Sequence, residues 1–332
     1  MKHSVLTTAM TFGLLSAVSP FGEATVRQYA APIGHSDWVL TQSSPLVCQL
    51  EHGIPSYGTA VFTDKAGSGN SLHMTLEMLR RPQVSGHARL MSVPPSYKPG
   101  MEASLMANVQ VYDGFNTMLG EQLSWQILTE LEQGNNPTLF YKDGYSRLGD
   151  IEVALNSANF RRSLNEFVDC VGGLLPYGYD DVAISVLNYK LNSDELELES
   201  LKRLRKIVDY LRHDDAVVRV EIDAFSDSYG GRWLNFELSK KRAAAVKDFM
   251  VTQGVNDELL VTAGYGERRH VASNKSPIGR HKNRRVVVRL TRDNSLEPSP
   301  MAQKALTPKI AKAMASQASS TASASTGNAA PQ

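Results

Sequence analysis

Asp227 and Arg242 are the residues best placed to do chemistry in this sequence. Asp227 lies in a turn-forming stretch rich in Ser and Gly, and Arg242 lies in the segment that follows it. A buried guanidinium needs a carboxylate partner, because an unpaired charge is costly to remove from water. Asp227 is the nearest candidate, so the pair predicts either a ligand clamp or a salt bridge that only holds a helix in place.

A strand and a helix must position these two side chains. Before the turn, apolar residues alternate with polar ones, which predicts a half-buried strand. The alternating apolar residues are Val218, Val220, Ile222 and Ala224. After the turn, Asn235 is suited to cap the N-terminus of a helix. Asn235 and Arg242 are seven residues apart and therefore lie on nearly the same helix face.

Other motifs in this half are weaker. Gly264 and Gly266 match part of a dinucleotide-binding fingerprint, but a third glycine and a strand-to-helix context are missing, which favours a turn. A basic stretch follows, which either binds an anionic polymer or is a solvated loop. The histidines of the first half stand singly, so neither a metal site nor a cofactor is predicted. Without a nucleophile and its base, or a zinc ligand set, we expect no enzyme.

The composition indicates an exported protein with two domains. A chain of 332 residues can form two cores, and its net charge of +1 identifies no polyanionic partner. Residues 1–24 have a basic start, an apolar run and a small residue before the expected cut, which predicts a secretory signal peptide. Export makes nucleic acid an improbable partner. No later stretch approaches the roughly 18 apolar residues of a transmembrane helix, so no membrane span is predicted in the mature chain.

Two cysteines, Cys48 and Cys170, belong to the exported part. In an oxidising compartment an isolated pair most often forms one disulfide, and two buried free thiols are the alternative.

The overall fold class predicted is α+β. Residues 25–178 consist mostly of short strand-like pieces separated by Gly and Pro, which predicts a β-rich, barrel- or sandwich-like domain. Helical periodicity predicts two helices within it, at 118–133 and 159–174. Residues 179–292 alternate strands at 182–191, 259–263 and 284–290 with helices, one of them from Glu195 to Arg212, and predict an α/β layer domain. Residues 293–332 are rich in Ala and Ser and predict a disordered tail.

The second domain resembles the OmpA-like peptidoglycan-binding family. The matching residues begin with Phe225-Ser226-Asp227 and Gly230, continue through Asn235, Leu238-Ser239, Arg242-Ala243 and Val246, and end with Gly264-Tyr265-Gly266 and Asn283-Arg284-Arg285-Val286. This resemblance implies that Asp227 and Arg242 hold the amine and the carboxylate of diaminopimelate. It also implies that Asn235, Asn283 and Arg284 complete the pocket. The family usually has Gly-His-Thr before the aspartate, where this chain has Ala224-Phe225-Ser226.

The first domain is similar to the MotY family of sodium-driven flagellar motors. The similarity rests on the stretches Val26–Tyr29, Trp38–Leu40, Cys48–Phe62, Ser157–Phe160 and Leu174–Tyr177, together with Cys170. It implies a periplasmic component of the T ring around the basal body. Such a protein binds MotX through its first domain, helps to position the stator units, and binds peptidoglycan through its second domain. A general cell-wall or outer-membrane anchor that is not tied to motility is the alternative.

Overall fold

The computed structural model describes residues 26–67, 69, 72–145, 150–190 and 195–293. The signal peptide predicted for residues 1–24 lies outside these residues, as does the tail predicted for residues 293–332 except for Asp293. The chain divides into two compact units, which do not follow a single cut in the sequence. Unit 1 comprises the described residues of Met1–Val39, Leu50–Phe62 and His73–Asn165, and unit 2 those of Leu40–Gln49, Thr63–Leu72 and Glu166–Gln332.

The first half of the described chain consists of short strands, as its turn-rich sequence predicts. These strands are β1 (Arg27–Ala30), β2 (Trp38–Ser43), β3 (Val47–Ile54), β4 (Gly58–Lys65), β5 (His73–Met78), β6 (Gly86–Val93), β7 (Ser104–Val111), β8 (Thr117–Leu119), β9 (Asn136–Tyr141) and β10 (Ile151–Ala154). They form two five-stranded sheets, in the orders β1-β10-β9-β6-β7 and β2-β3-β4-β5-β8. Neither sheet closes into a barrel within the described residues.

Two helices accompany these strands, close to the predicted positions. They are α1 (Glu121–Glu132) and α2 (Phe160–Gly172). The prediction placed the first helix three residues too early, because Thr117–Leu119 pairs with β5 instead.

An aromatic cluster organises the core of unit 1. The Trp38 ring stacks on the His52 ring at 4.3 Å between centroids and meets the edge of Phe160 at 4.7 Å. His52 is buried, and its Nδ1 donates to the carbonyl of Asp37 at 3.0 Å. Burial lowers the pKa of His52 from its usual value, which keeps the ring neutral. This histidine is therefore a core residue.

The predicted disulfide between Cys48 and Cys170 is confirmed. It joins β3 to α2 within unit 2 and closes a loop with a sequence separation of 122 residues. The chain entropy that such a long loop removes from the unfolded state favours the folded one.

The rest of unit 2 alternates helices and strands. In chain order the elements are α3 (Tyr179–Val182), β11 (Ile184–Asn188), α4 (Leu198–Leu211), β12 (Val217–Phe225), α5 (Arg232–Thr252), β13 (Leu260–Gly264), α6 (Pro277–Asn283) and β14 (Arg285–Arg292). The sheet order is β11-β14-β12-β13. Strands β12 and β13 are parallel, with α5 as the crossover between them, while β14 runs antiparallel to β11 and β12.

The core of unit 2 forms between this sheet and the two long helices. Val220, Ile222 and Ala224 of β12 are buried together with Leu204 of α4 and Val246 of α5. The simple alternation predicted that Val218 shares that face. It does not, because a register shift lies between Val217 and Arg219. The shift exposes Val218 and buries Val217. No helix in the described ranges is both long and apolar enough to cross a membrane.

Several predicted boundaries in unit 2 are wrong by a few residues. Helix α5 begins at Arg232 with Gly231 as its N-cap, so Asn235 lies inside the helix and does not cap it. Helix α4 begins at Leu198 rather than at Glu195. The predicted strand at 182–191 shortens to β11, because α3 occupies its start. The stretch predicted as a basic loop contains α6, which Ser276 caps by accepting from the Gly279 N–H.

Candidate functional site

Asp227 lies just beyond the carboxyl end of β12 and is buried. Its Oδ2 accepts a hydrogen bond from Nη1 of Arg284 at 2.8 Å, and its Oδ1 accepts one from the Tyr229 N–H at 3.1 Å. Both members of the ion pair are nearly inaccessible to water, with side-chain exposures of 11% and 10%. The two contacts fix the orientation of the carboxylate, since each oxygen is held by a separate donor.

Arg242 is buried on α5, as its position on the inward face predicts. Its guanidinium lies over the Tyr189 ring, 4.5 Å from the centroid, and the Tyr189 hydroxyl donates to the Arg242 carbonyl at 3.2 Å. The salt bridge that the sequence suggested between Asp227 and Arg242 is not formed. Asp227 pairs instead with Arg284, which is 57 residues away in sequence.

Asn235 is buried in the first turns of α5 and faces the loop after β13. Its Nδ2 lies 3.4 Å from Oε2 of Glu267, and Nε of Arg232 donates to Oε1 of the same carboxylate at 3.1 Å. The Ser226 N–H donates to the Gly266 carbonyl at 2.8 Å. These contacts connect the turn after β12, the start of α5 and the turn after β13.

The turn at Gly264-Tyr265-Gly266 brings α5 against the end of β13. A Cβ at Gly264 would lie 2.6 Å from the backbone nitrogen of Lys240 and 2.7 Å from Oγ of Ser239. Gly266 has a φ of +58°, and its N–H donates to Oγ of Ser239 at 2.9 Å. These glycines therefore serve close packing in a turn, as predicted, and not a nucleotide fingerprint.

Asn283 is fully buried at the end of α6 and holds the preceding loop. Its Oδ1 accepts from the N–H groups of Val271 and Ala272 at 2.9 and 3.1 Å. Its Nδ2 donates to the Ala272 carbonyl at 2.8 Å and to Oδ1 of Asn274 at 2.9 Å. Asn274 Oδ1 also accepts from the Ser228 N–H at 3.3 Å, which links the loop to the turn that carries Asp227.

A stack of aromatic rings and guanidinium groups lies beside this network. Arg285 lies over the Phe225 ring at 4.0 Å, Phe225 stacks on Tyr265 at 5.1 Å, and Arg269 lies over Tyr265 at 4.8 Å. Burial, followed by repulsion from Arg289, lowers the pKa of the Arg285 guanidinium from its usual value. The sequence did not predict this stack. Its one signal was Phe225, where the resembled family has histidine.

The structure thus brings four of the five predicted residues into two linked networks. Asp227, Asn283 and Arg284 are connected directly or through Asn274, and Asn235 joins through Glu267 and the turn after β13. Arg242 lies on the same buried side of α5 as Asn235. Among the described residues, no cluster of His, Cys, Asp and Glu could hold a metal ion.

Comparisons with known proteins agree with this two-part arrangement. Residues 29–176 match the model described as the MotY N-terminal domain, and residues 188–284 match the OmpA family. The sodium-type flagellar protein MotY of Vibrio parahaemolyticus is 37% identical over 292 residues, which is 88% of this chain and 99% of that protein. The chain belongs to the MotY family. The resemblance that the sequence suggested is confirmed, including the OmpA-family assignment of the second half.

Three further similarities each cover about a third of the chain. The peptidoglycan-binding protein ArfA of Mycobacterium tuberculosis is 33% identical over 118 residues, which is 35% of this chain and 32% of that protein. The C-terminal domain of Helicobacter pylori MotB is 23% identical, covers 33% of this chain and 85% of that chain, and has a TM-score of 0.30. The cell wall anchor of the type VI secretion system from Pseudomonas aeruginosa is 26% identical, with coverages of 33% and 81% and a TM-score of 0.29.

Proposed function

We propose that this protein is a non-enzymatic, periplasmic component of the flagellar motor whose OmpA-family part binds peptidoglycan. Two relatives support the two halves of this statement. The MotY relative is named as a flagellar protein, and ArfA as a peptidoglycan-binding protein. One observation supports wall binding most directly: the carboxylate of Asp227 is buried and held by two donors. Asp227 stands at the position where the OmpA-like family is expected to bind the ligand amine.

The chemistry of the pocket suits diaminopimelate. Asp227 keeps lone pairs available on both oxygens beyond its bonds to Arg284 and Tyr229, and these can accept from the ligand ammonium group. Arg242 would bind the ligand carboxylate through two parallel hydrogen bonds. Asn235 would add a polar contact, and Asn283 would hold the loop that borders the pocket. Arg284 would complete the pocket by orienting Asp227 through the hydrogen bond from its Nη1 to Oδ2.

The finer parts of the proposal follow from the family. The protein would belong to the T ring around the basal body, bind MotX through its first unit and help to position the stator units, with the stator contact indirect. A wall-bound unit suits a ring that resists torque. A general wall anchor that is not tied to motility is the second candidate.

Co-sedimentation with purified peptidoglycan tests the pocket. We expect Asp227→Asn and Arg242→Gln to abolish binding, because each removes one charge that recognises the zwitterionic end of the ligand. Asp223→Asn is the matched control. Asp223 lies on β12, and its carboxylate is paired like that of Asp227, because its Oδ2 accepts from Nη1 of Arg289 at 2.6 Å. Wall binding by both pocket variants at the level of the control would refute the assignment.

Deletion of the gene distinguishes the two candidate functions. If the motor assignment is correct, cells should remain flagellated but swim poorly, and the Asp227→Asn chain should fail to restore swimming. The unaltered chain is the positive control for the same measurement. Normal swimming of the deletion strain would favour the general anchor.

A further inference from the structure

Two aromatic side chains of unit 2 are unusually exposed. Tyr229 is 84% accessible and Trp233 is 71% accessible, and the adjacent Leu234 is 63% accessible. Within the described ranges, neither ring stacks on another aromatic side chain or lies beneath a cation. Such groups are costly to leave in water, and clusters of them mark binding surfaces. We call Tyr229 and Trp233 the aromatic border.

The aromatic border lies at the edge of the candidate pocket. The backbone N–H of Tyr229 donates to Oδ1 of Asp227, so the ring begins at a residue that touches the site. Trp233 is in the first turn of α5, two residues before the buried Asn235. Gly230 has a φ of +100°, and with Gly231 it forms the tight turn between the two aromatic residues. The fold therefore presents both rings on the segment that also forms the pocket.

The loop after β13 contributes a border of opposite character. Arg268, Arg269 and Lys275 are all exposed there, and the loop is tied to the Asp227 turn by the bond between Asn274 and Ser228. A cationic side suits the carboxylates of a stem peptide. An aromatic side suits a group that is neutral and has C–H faces, and the sugars of the glycan strand have that chemistry. The cationic border thus suits the stem peptide of the polymer, and the aromatic border suits its glycan strand.

The distance along the ligand is compatible with this division. In peptidoglycan, two amino acids separate diaminopimelate from the sugar that carries the stem. With the γ-linkage of the glutamate and the lactyl ether of the sugar, the link contains about twelve bonds, equal to about four residues, and spans at most about 14 Å when extended, so a sugar can reach the edge of a pocket that holds diaminopimelate. The aromatic border occupies one such edge.

We propose that Tyr229 and Trp233 form a glycan subsite, in which the ring faces pack against the sugar that bears the bound stem. This inference rests on the proposed wall-binding function and extends it from the stem peptide to the glycan. The subsite makes the protein prefer stems attached to sugar over free peptides. It also directs the glycan strand along the start of α5 and away from the basic loop.

Titration calorimetry with two purified ligands tests the subsite. The first ligand is the free tripeptide L-Ala–γ-D-Glu–diaminopimelate, and the second is the same tripeptide on its GlcNAc–MurNAc disaccharide. We expect the full chain to bind the second ligand about 3–10-fold more tightly, as stacking on one or two rings provides. Trp233→Ala and Tyr229→Ala should reduce that ratio towards one, and Trp233→Ala should leave the affinity for the free tripeptide unchanged.

Matched controls separate the possible outcomes. Trp125→Ala and Tyr97→Ala remove exposed rings of unit 1 and should not change the ratio. Trp233→Phe should retain most of the preference, and it should abolish a blue shift of tryptophan emission on adding the disaccharide ligand. If both ligands bind equally and Trp233→Ala changes neither affinity, the glycan subsite is refuted and the border serves a different partner. If the full chain binds neither ligand, the wall-binding function itself is refuted.

Discussion

At the scale of single residues, Asn283 illustrates how one buried amide can organise a site without touching a ligand. Its four hydrogen bonds hold Val271, Ala272 and Asn274. We expect Asn283→Ala to lower the free energy of unfolding by about 3 kcal/mol, because it removes four hydrogen bonds made by a fully buried amide and leaves the Val271 and Ala272 backbone groups without these partners. Amide hydrogen exchange at Val271 and Ala272 should rise at the same time. Denaturant unfolding and exchange mass spectrometry measure both effects.

Asn256→Ala is the control for this substitution. The Asn256 side chain accepts one hydrogen bond, from the exposed Glu258 N–H, so its loss should cost about 1 kcal/mol or less. Unchanged exchange at Val271 and Ala272 in the Asn283→Ala chain would contradict the assigned role of this amide.

The sequence predicts residues for the candidate site, but it does not predict the partners that those residues have in the structure. The spacing of Asp227, Asn235 and Arg242 on a turn and a helix is local information. The ion pair between Asp227 and Arg284 joins residues 57 positions apart in the chain, at the same end of the neighbouring strands β12 and β14. Because β14 lies beside β12, Arg284 arrives next to Asp227 only after the sheet has formed.

At the scale of elements, the close contact between α5 and β13 sets the position of Asn235 and Arg242. Gly264→Ala would place a Cβ 2.6 Å from the Lys240 backbone nitrogen, so α5 must move away from the sheet. We expect a loss of about 2–3 kcal/mol in stability from this overpacking. Peptidoglycan binding should weaken as well, because the buried side chains of α5 shift with the helix. Thermal unfolding and co-sedimentation measure the two losses.

Gly172→Ala provides the matched control within the same unit. A Cβ at Gly172 would meet nothing within 4 Å, so this variant should keep both stability and wall binding. Equal behaviour of the two alanine variants would show that the contact at Gly264 does not position α5.

Element types were predictable where periodicity is strong, and boundaries were not. The helices α1, α2, α4 and α5 and the strands of unit 2 appear where apolar periodicity placed them. The missed helix α6 has only seven residues, too few to show a period, and depends on the local cap at Ser276. Helix α5 starts before Asn235, with Gly231 as an N-cap in the extended conformation that makes no side-chain capping bond. Helix starts prefer a residue with a capping side chain, but the turn geometry overrides this preference here.

At the scale of the whole molecule, the disulfide joins segments far apart in the chain. Closing a loop across 122 residues contributes about 5 kcal/mol on the chain-entropy model. We expect the Cys48→Ala/Cys170→Ala chain to melt well below the oxidised protein. A reductant should lower the melting temperature of the unaltered chain and leave that of the double variant unchanged. Equal melting temperatures of the oxidised protein and the double variant would contradict a stabilising disulfide.

The last prediction concerns the extent of unit 2. The sequence predicts a domain boundary after residue 178, and unit 2 also contains Leu40–Gln49 and Thr63–Leu72. Leu46 packs against the core that contains β12, as does Tyr177, whose hydroxyl donates to Oδ2 of Asp209 at 2.6 Å. The OmpA-family core is therefore completed by a residue that lies more than a hundred positions before its first strand.

We expect Leu46→Ala in the full chain to destabilise this core by about 1 kcal/mol, because a partly buried leucine loses its apolar contacts. Hydrogen exchange at the amides of β12 should accelerate in proportion, since these amides report the opening of the core. Ile54→Ala is the control, because Ile54 lies on the same strand as Cys48 but belongs to unit 1. If Ile54→Ala accelerates exchange in β12 while Leu46→Ala does not, Leu46 does not complete the core of unit 2, and the boundary expected from the sequence would stand.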